Sequence, residues 1–462
     1  MITQSQIHHI VENQRTFFNT HATLGHEFRL NALKTLKESV CRHEQPFHDA
    51  LKADLGKPVY ESFITETGFI RHELTRTMKS LKKWMGVKWK MTPFYLLPGT
   101  SKVHYTPLGV NLIIAPFNYP MQSTFSPLIA AIAAGNTAVV KTSELTPNVS
   151  RVIQDLINDC FRPEHVAYVP GEVKETQMLL TQKFDHIFFT GSTRVGGIVL
   201  EAAAKHLTPV TLELGGKSPC IIHNDANLET AVRRIAYGKF LNTGQTCVAP
   251  DYVLVHQDVA QPFIDKLSKR VQALYGDNPS QSPDFGRIVN VAHHRRLVSL
   301  IDPEKVVIGG DHDEATRYIG PTVMAKVSLD DPVMKEEIFG PVLPVMTYND
   351  LDQVYQTIGA LPQHPLALYL FTENRQIRDE LVLRIPFGGG CVNHCIQHLG
   401  NPYLPFGGLG SSGMGHYHGF DGFTRFSHQK ALYQAPTATW LDLPLIYPPY
   451  KGKLKIMKAI FR

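Results

Sequence analysis

The stretch FLNTGQTCVAPDY, residues 240–252, puts a cysteine where packing alone would not ask for one. Cys247 follows Asn242, Thr243, Gly244, Gln245 and Thr246, small or polar residues that can turn the chain and offer backbone N–H groups. Such a setting suits a thiolate nucleophile better than a substitute for a core methyl group. The alternative is an unreactive thiol, the common state of a cysteine in a reducing compartment. A second candidate is Glu213 in VTLELGGKSP (210–219), at the end of an apolar run and just before a Gly-Gly turn. Between Leu212 and Leu214 its carboxyl loses water, which raises its pKa and suits it to proton abstraction near neutrality. The alternative is a strand-end glutamate pointing into solvent. Asn118 in APFNYPMQ (115–122) has a proline on either side, and a rigid amide donor is what a developing oxyanion needs. An ordinary turn asparagine reads the same way.

Other windows suit a nucleotide. FFTGSTRVGG (188–197) is a strand, a glycine turn and a helix start, where free N–H groups can face a phosphate. Gly191 and Gly196 match two positions of the dinucleotide fingerprint, Ser192 opens the helix, and Thr193 stands where the middle glycine belongs. Any turn from strand to helix can carry such a glycine. Lys141 and Glu144 in AVVKTSELTP lie just past a strand end, within reach of ribose hydroxyls. EEIFGPVLPV puts Glu337 and Phe339 in a loop before another strand. CVNHCIQH (391–398) gathers Cys391, His394, Cys395 and His398, all zinc-ligand types. Strand alternation there and the lack of a second pair at finger spacing argue against a metal, and none is expected.

Parallel α/β layers are predicted to hold these residues. From about residue 105, short β-rich runs alternate with helical stretches: strands at 109–117, 136–144 and 186–191, with helices at 122–135 and 146–161, the latter capped by Thr146 with Pro147 first. A second series follows a changeover near 207–213, and the first hundred residues read as mostly helical. The 462 residues, 43% of them hydrophobic, can bury a large core. Six scattered cysteines do not make a disulfide framework. No signal peptide or membrane span is apparent, so a soluble, cytoplasmic protein is expected. The net charge is +5, but five of the 46 Lys and Arg residues lie in the last twelve. The remaining 41 balance the 41 acids, and no nucleic-acid face is signalled.

In their order along the chain, PFNYP, VVKTSE, FTGSTRVG, LELGGKSP, NTGQTCVAPDY, EEIFGPVLPV and PFGGLGSSGMGHYHG resemble the aldehyde dehydrogenase superfamily over about residues 100–430. CVAPDY, the short N-terminus, YHG and the LxYPPY tail look most like its class 3 branch, some of whose members act on medium-chain, aromatic or fatty aldehydes. The resemblance implies two parallel-sheet α/β domains, a Rossmann-like cofactor domain and a catalytic domain, with a small β oligomerisation arm. It implies an NAD(P)-binding domain at 1–80 and 98–209, a catalytic domain at 210–405, and a bridging arm at 81–97 and 406–440. Cys247 would be the nucleophile, Asn118 the oxyanion donor and Glu213 the base for thioester hydrolysis. NAD or NADP would meet Gly191, Ser192 and Gly196 with its pyrophosphate, Lys141 and Glu144 with one ribose, and Glu337 with the other, Phe339 being counted with them. Asn393 would fall on the substrate side. His394 stands where the family often has aspartate, and His416 and His418 in HYHG lie near the substrate mouth. The expected partners are an aldehyde and a second copy of the chain.

Two other functions fit parts of the pattern: a cysteine-dependent esterase or acyl hydrolase, and a non-catalytic binding or structural protein retaining the fold. The tail 441–462 is read as a basic amphipathic arm. Lys451, Lys455, Lys458 and Arg462 recur at helical spacing, opposite Leu454, Ile456, Met457, Ile460 and Phe461. So short a helix needs a surface, either the partner subunit or an anionic membrane.

Overall fold

Short apolar strands with helices on both faces make up most of the computed structural model, which describes residues 2–361, 364–442 and 444–461. A six-stranded sheet runs in the order Gly413–Met414, Val210–Glu213, His186–Thr190, Val110–Ile114, Thr137–Lys141 and Val166–Tyr168. All its pairs are parallel except the first. Alternation sorts the side chains. Val110, Leu112 and Ile114 pack with Ile7, Val11, Val199 and Ala203, whereas Ile113 and Val140 pack with Phe125 and Ile129 of the helix Pro120–Ala134. Burial on both faces is why VNLII and TAVVK read as unbroken apolar runs.

The seven-stranded sheet runs Val306–Ile308, Thr322–Met324, Val342–Tyr348, Tyr252–His256, Pro219–Ile222, Ala367–Phe371 and Gly389–Val392, parallel after the first pair. An antiparallel arm joins Lys88–Lys90, Thr100–Pro107 and Ser427–Gln434. Strand pairing therefore shifts two expected boundaries. Val210–Glu213 extends the first sheet, with Ile187 opposite Val210 and Thr190 opposite Glu213. The chain leaves that sheet at the turn after it, where Gly216 has φ +150°. Thr100–Pro107 belongs to the arm, not to the first sheet.

The helix Pro147–Cys160 begins where expected but is not capped by Thr146, whose buried hydroxyl has no partner. Asp54 reaches in from the helix Glu44–Leu55 instead, accepting from the Val149 N–H at 2.9 Å and from Asn148 Nδ2 at 2.7 Å. At the C-terminus the expected stripe contracts. The helix is only Leu454–Ile460, Lys451 precedes it, and Arg462 lies outside the described residues. Phe461 packs 5.3 Å from the Tyr95 ring of the same chain, while Leu454 and Ile456 stay exposed. Among the described residues no helix is long and apolar enough to cross a membrane.

Candidate active site

In the six-stranded sheet the strand order reverses beside Val110–Ile114, and such a switch point opens a crevice at the carboxyl ends of the strands. Asn118 follows one of those ends and Gly191 the next, with Glu213 ending the neighbouring strand. The second sheet supplies the facing wall: Cys247 in the turn before Tyr252–His256, and Glu337 in the loop before Val342–Tyr348.

Three successive left-handed residues set the cysteine turn: Asn242 (φ +52°), Thr243 (φ +55°) and Gly244 (φ +73°). Gly244 is required twice over, because a Cβ there would also lie 2.2 Å from the Gly340 carbonyl oxygen. Asn242 Nδ2 donates to the carbonyls of Asn118 at 2.8 Å and Gln245 at 3.1 Å. The Tyr119 and Thr246 hydroxyls bond at 2.7 Å, so the Asn118 loop and the cysteine turn are fastened together. Cys247 itself is half-buried. Its thiol is pushed up to about 12, first by desolvation, then by the carboxylates of Glu337 and Glu213. The proton must therefore leave to a base before the sulfur can attack.

Glu213 is 2% exposed, and neither carboxylate oxygen has a hydrogen-bond partner. A glutamate pointing into water is thus excluded. Burial holds this carboxyl well above its ordinary range, against a smaller opposing pull from Arg425. Glu337 folds over the adjacent turn so closely that a Cβ on Gly215 would lie 2.0 Å from Oε2. Burial, then the Asp251 carboxylate, raise Glu337 to about 8, with the Gly216 N–H opposing.

Two buried charges missed in the sequence hold this loop. Lys217 Nζ is ion-paired with Asp251 and donates to the carbonyls of Val333 at 3.0 Å and Glu336 at 2.9 Å. Asp251 in turn accepts the Ile338 N–H at 2.9 Å. Lys217 in LELGGKSP and Asp251 in CVAPDY both lie inside the motifs that carry the resemblance, and their opposite charges beside apolar strands are the available signal. Phe339, at φ +55°, sets its ring 5.7 Å from Phe117, next to Asn118.

Because the Glu337 charge disfavours the thiolate, Glu337→Gln is expected to lower the Cys247 thiol pKa. At about pH 9 iodoacetamide should then alkylate Cys247 roughly three- to tenfold faster than in the wild type. An unchanged rate would separate the two groups.

The glycine turn fits a dinucleotide phosphate. Ser192 caps the helix Thr193–Ala204, accepting from the Val195 N–H at 3.4 Å. Gly191 donates its N–H to the Glu213 carbonyl at 3.0 Å, and a Cβ there would meet the Phe189 ring at 2.5 Å. Gly196 lets the helix close on Leu214, 2.8 Å from a Cβ position. The Thr190 hydroxyl beside the turn is buried and unpartnered. Lys141 is buried with Nζ 2.6 Å from the Thr142 carbonyl and 3.5 Å from Glu144, whose carboxylate is exposed. The donors at the helix start suit a pyrophosphate and the Lys141–Glu144 pair suits a ribose.

The residues 391–398 do not converge. Cys391 Sγ lies 3.5 Å from His398 Nδ1, Cys395 turns into the core beside Cys220, and His394 bonds its neighbour's backbone. Among the described residues no three potential ligands are placed to hold a metal. Asn393 spends its side chain on the Thr372 backbone, at 3.0 and 3.1 Å, and is structural in this geometry. His418 is buried, stacked 5.2 Å from Phe406 and edge-on to Tyr417 at 4.4 Å, while His416 is exposed.

The aldehyde dehydrogenase family model matches residues 1–432. The chain is 48% identical over 452 residues to the 4,4'-diaponeurosporen-aldehyde dehydrogenase of Staphylococcus aureus, covering 97% of this chain and 98% of that one. It is 40% identical over 454 residues to the dimeric NADP-preferring aldehyde dehydrogenase of Canis lupus familiaris, covering 97% and 99%. The solved structure of the substrate-bound state of Staphylococcus aureus AldH superposes with a TM-score of 0.96 at 47% identity, over 100% of both chains. A thiol and a buried carboxyl on facing sheets, beside a glycine turn, are thus found in a chain with relatives along its whole length: it belongs to the aldehyde dehydrogenase family.

Proposed function

We propose that the protein oxidises an aldehyde to a carboxylic acid with NAD or NADP, through Cys247, Asn118 and Glu213. The observation that carries this reading is the buried Glu213 carboxyl with both oxygens unpartnered, near enough to Cys247 for its charge to bear on the thiol. A carboxylate (Glu213, or Glu337 with its value of about 8) takes the thiol proton, and the sulfur attacks the carbonyl carbon. The oxygen of the resulting thiohemiacetal gathers charge against the Asn118 side-chain amide and the Cys247 N–H. A bound nicotinamide supplies the hydride acceptor that makes the adduct a thioester. Glu213 then removes a proton from water, the oxygen adds to the thioester carbon, and collapse releases the acid and the Cys247 thiolate.

Gly191, Ser192 and Gly196 hold the pyrophosphate in this reading, with Lys141 and Glu144 at one ribose and Glu337 and Phe339 at the other. The Glu144 carboxylate favours a ribose diol and the Lys141 ammonium tolerates a phosphate, consistent with either cofactor. An esterase would need no such cradle, and a structural protein would need neither an unpartnered buried carboxyl nor the left-handed cysteine turn. The substrate in this reading is a medium-chain aliphatic or aromatic aldehyde, the class that the sequence resemblance implies. The arm leaves Trp89, Met91, Phe94 and Leu97 exposed, a face suited to a second copy, and the canine relative is named as dimeric. The tail helix serves that dimer, whereas sedimentation of the full chain with anionic vesicles would assign it to a membrane.

Purified protein with hexanal or benzaldehyde is expected to reduce NAD or NADP, read at the reduced-nicotinamide absorbance band. No signal with any pair of aldehyde and cofactor would overturn the redox reading, and ester hydrolysis alone would favour the acyl hydrolase.

A further inference from the structure

The Lys57 and Glu66 side chains are fully buried, 3.0 Å apart, on the helical N-terminal segment. Glu66 projects from a five-residue π-helical turn, Phe63–Thr67, an irregularity that re-aims side chains from a helix. Both groups spend their remaining capacity on one stretch of backbone. Lys57 Nζ donates to the Asn118 carbonyl at 3.3 Å and stands 4.3 Å over the Tyr119 ring. The second oxygen of Glu66 accepts the Gln122 N–H at 2.8 Å. Nearby, Glu61 accepts the Asn242 N–H at 2.9 Å, and Asn242 Nδ2 makes the other bond to the Asn118 carbonyl.

We propose that Lys57 and Glu66 are positioning residues for the oxyanion site, a clamp that fixes the Asn118 peptide so that its side-chain amide is aimed where charge develops on the substrate oxygen. This rests on the role given to Asn118 above. Stability alone is a poor account of the pair. Taking two charges out of water costs about what their attraction returns, and apolar residues of similar volume commonly hold a fold as well. Geometry is what an apolar pair could not reproduce. It cannot donate to the Asn118 carbonyl or accept from the Gln122 N–H, and among the described residues it leaves Asn242 Nδ2 to anchor that carbonyl alone. A donor displaced by a fraction of an ångström stabilises a transition state far less, while substrate and cofactor still bind.

The test is a mutational cycle on the full chain with hexanal and NAD. K57M/E66M is expected to melt within a few degrees of the wild type and to keep its KM for NAD, yet lose roughly ten- to hundredfold in kcat. N118A is expected to lose on the order of a hundredfold. If the clamp acts through Asn118, adding N118A to K57M/E66M should leave an enzyme within about twofold of N118A alone. Multiplying losses would overturn the proposal, and so would a wild-type kcat in K57M/E66M beside an impaired N118A. Full activity in N118A would overturn the reading of Asn118 and the clamp with it. Should K57M/E66M fail to fold, Lys57→Met carries the same cycle, since it removes the donor to the Asn118 carbonyl and leaves the Gln122 bond in place.

Discussion

Cys247→Ala is expected to abolish aldehyde oxidation, with kcat falling on the order of 10⁴-fold or more, as when a covalent nucleophile is removed from an otherwise intact site. No other thiol can substitute. Cys220 and Cys395 are sealed in the core, Cys391 is turned toward His398, and Cys160 lies against the Thr35 carbonyl. Cys41 is exposed on the helix His26–Arg42, away from both sheet ends that meet at the crevice. The fold should tolerate the change, because residue 247 is half-buried and the turn is held by Asn242, Gln245 and Tyr119 rather than by the sulfur. A stability loss of about 1 kcal/mol is expected. Cofactor affinity, read by fluorescence titration with the reduced dinucleotide, should stay near the wild-type value, since the glycine turn belongs to the other sheet. Oxidation within tenfold of the wild type would remove Cys247 from the chemistry.

How far the sequence foretold this site depends on what each residue leans on. The strands VNLII and TAVVK were legible because local burial on both faces leaves unbroken apolar runs. The glycine turn and the cysteine turn were legible because small residues at fixed offsets report a backbone need. The left-handed Gly244, closed against Gly340, is that need made physical. Thr146 misled because it is a good cap by type, yet Asp54 in a distant helix took its place. The sheet that receives Val210–Glu213 is decided by its ladder to His186–Thr190, and a four-residue run carries no mark of which neighbour it will find. Lys57 and Glu66 were invisible for the same reason. Lys57 lies in the short link between two helices and Glu66 on the helical turn that follows, about sixty residues before the loop they grip, and only tertiary burial distinguishes them from surface charges.

Glu213→Gln is expected to separate the two halves of the reaction. Forming the thioester needs Cys247, Asn118 and a base for the thiol proton, and Glu337 remains to take it, so the variant should still release about one equivalent of reduced cofactor per subunit in a burst. Turnover afterwards should slow by roughly 10²- to 10⁴-fold, the usual worth of a positioned general base. The acyl group should then be found on the Cys247 peptide by mass spectrometry, and hydroxylamine, a nucleophile that needs no base, should restore turnover. The pH dependence follows from burial. Glu213 is held well above its ordinary range, so its basic form grows as pH rises. Wild-type kcat should therefore climb with pH wherever hydrolysis limits it, and Glu213→Gln should lack that limb. The carboxyl has neither a donor nor an acceptor fixed on it, which leaves both oxygens free to take a proton from water. Steady turnover of Glu213→Gln at the wild-type rate, with no burst and no acylated peptide, would mean that another group activates the water. Glu337, with its raised value of about 8 and its carboxylate folded over Gly215, would be the next to replace.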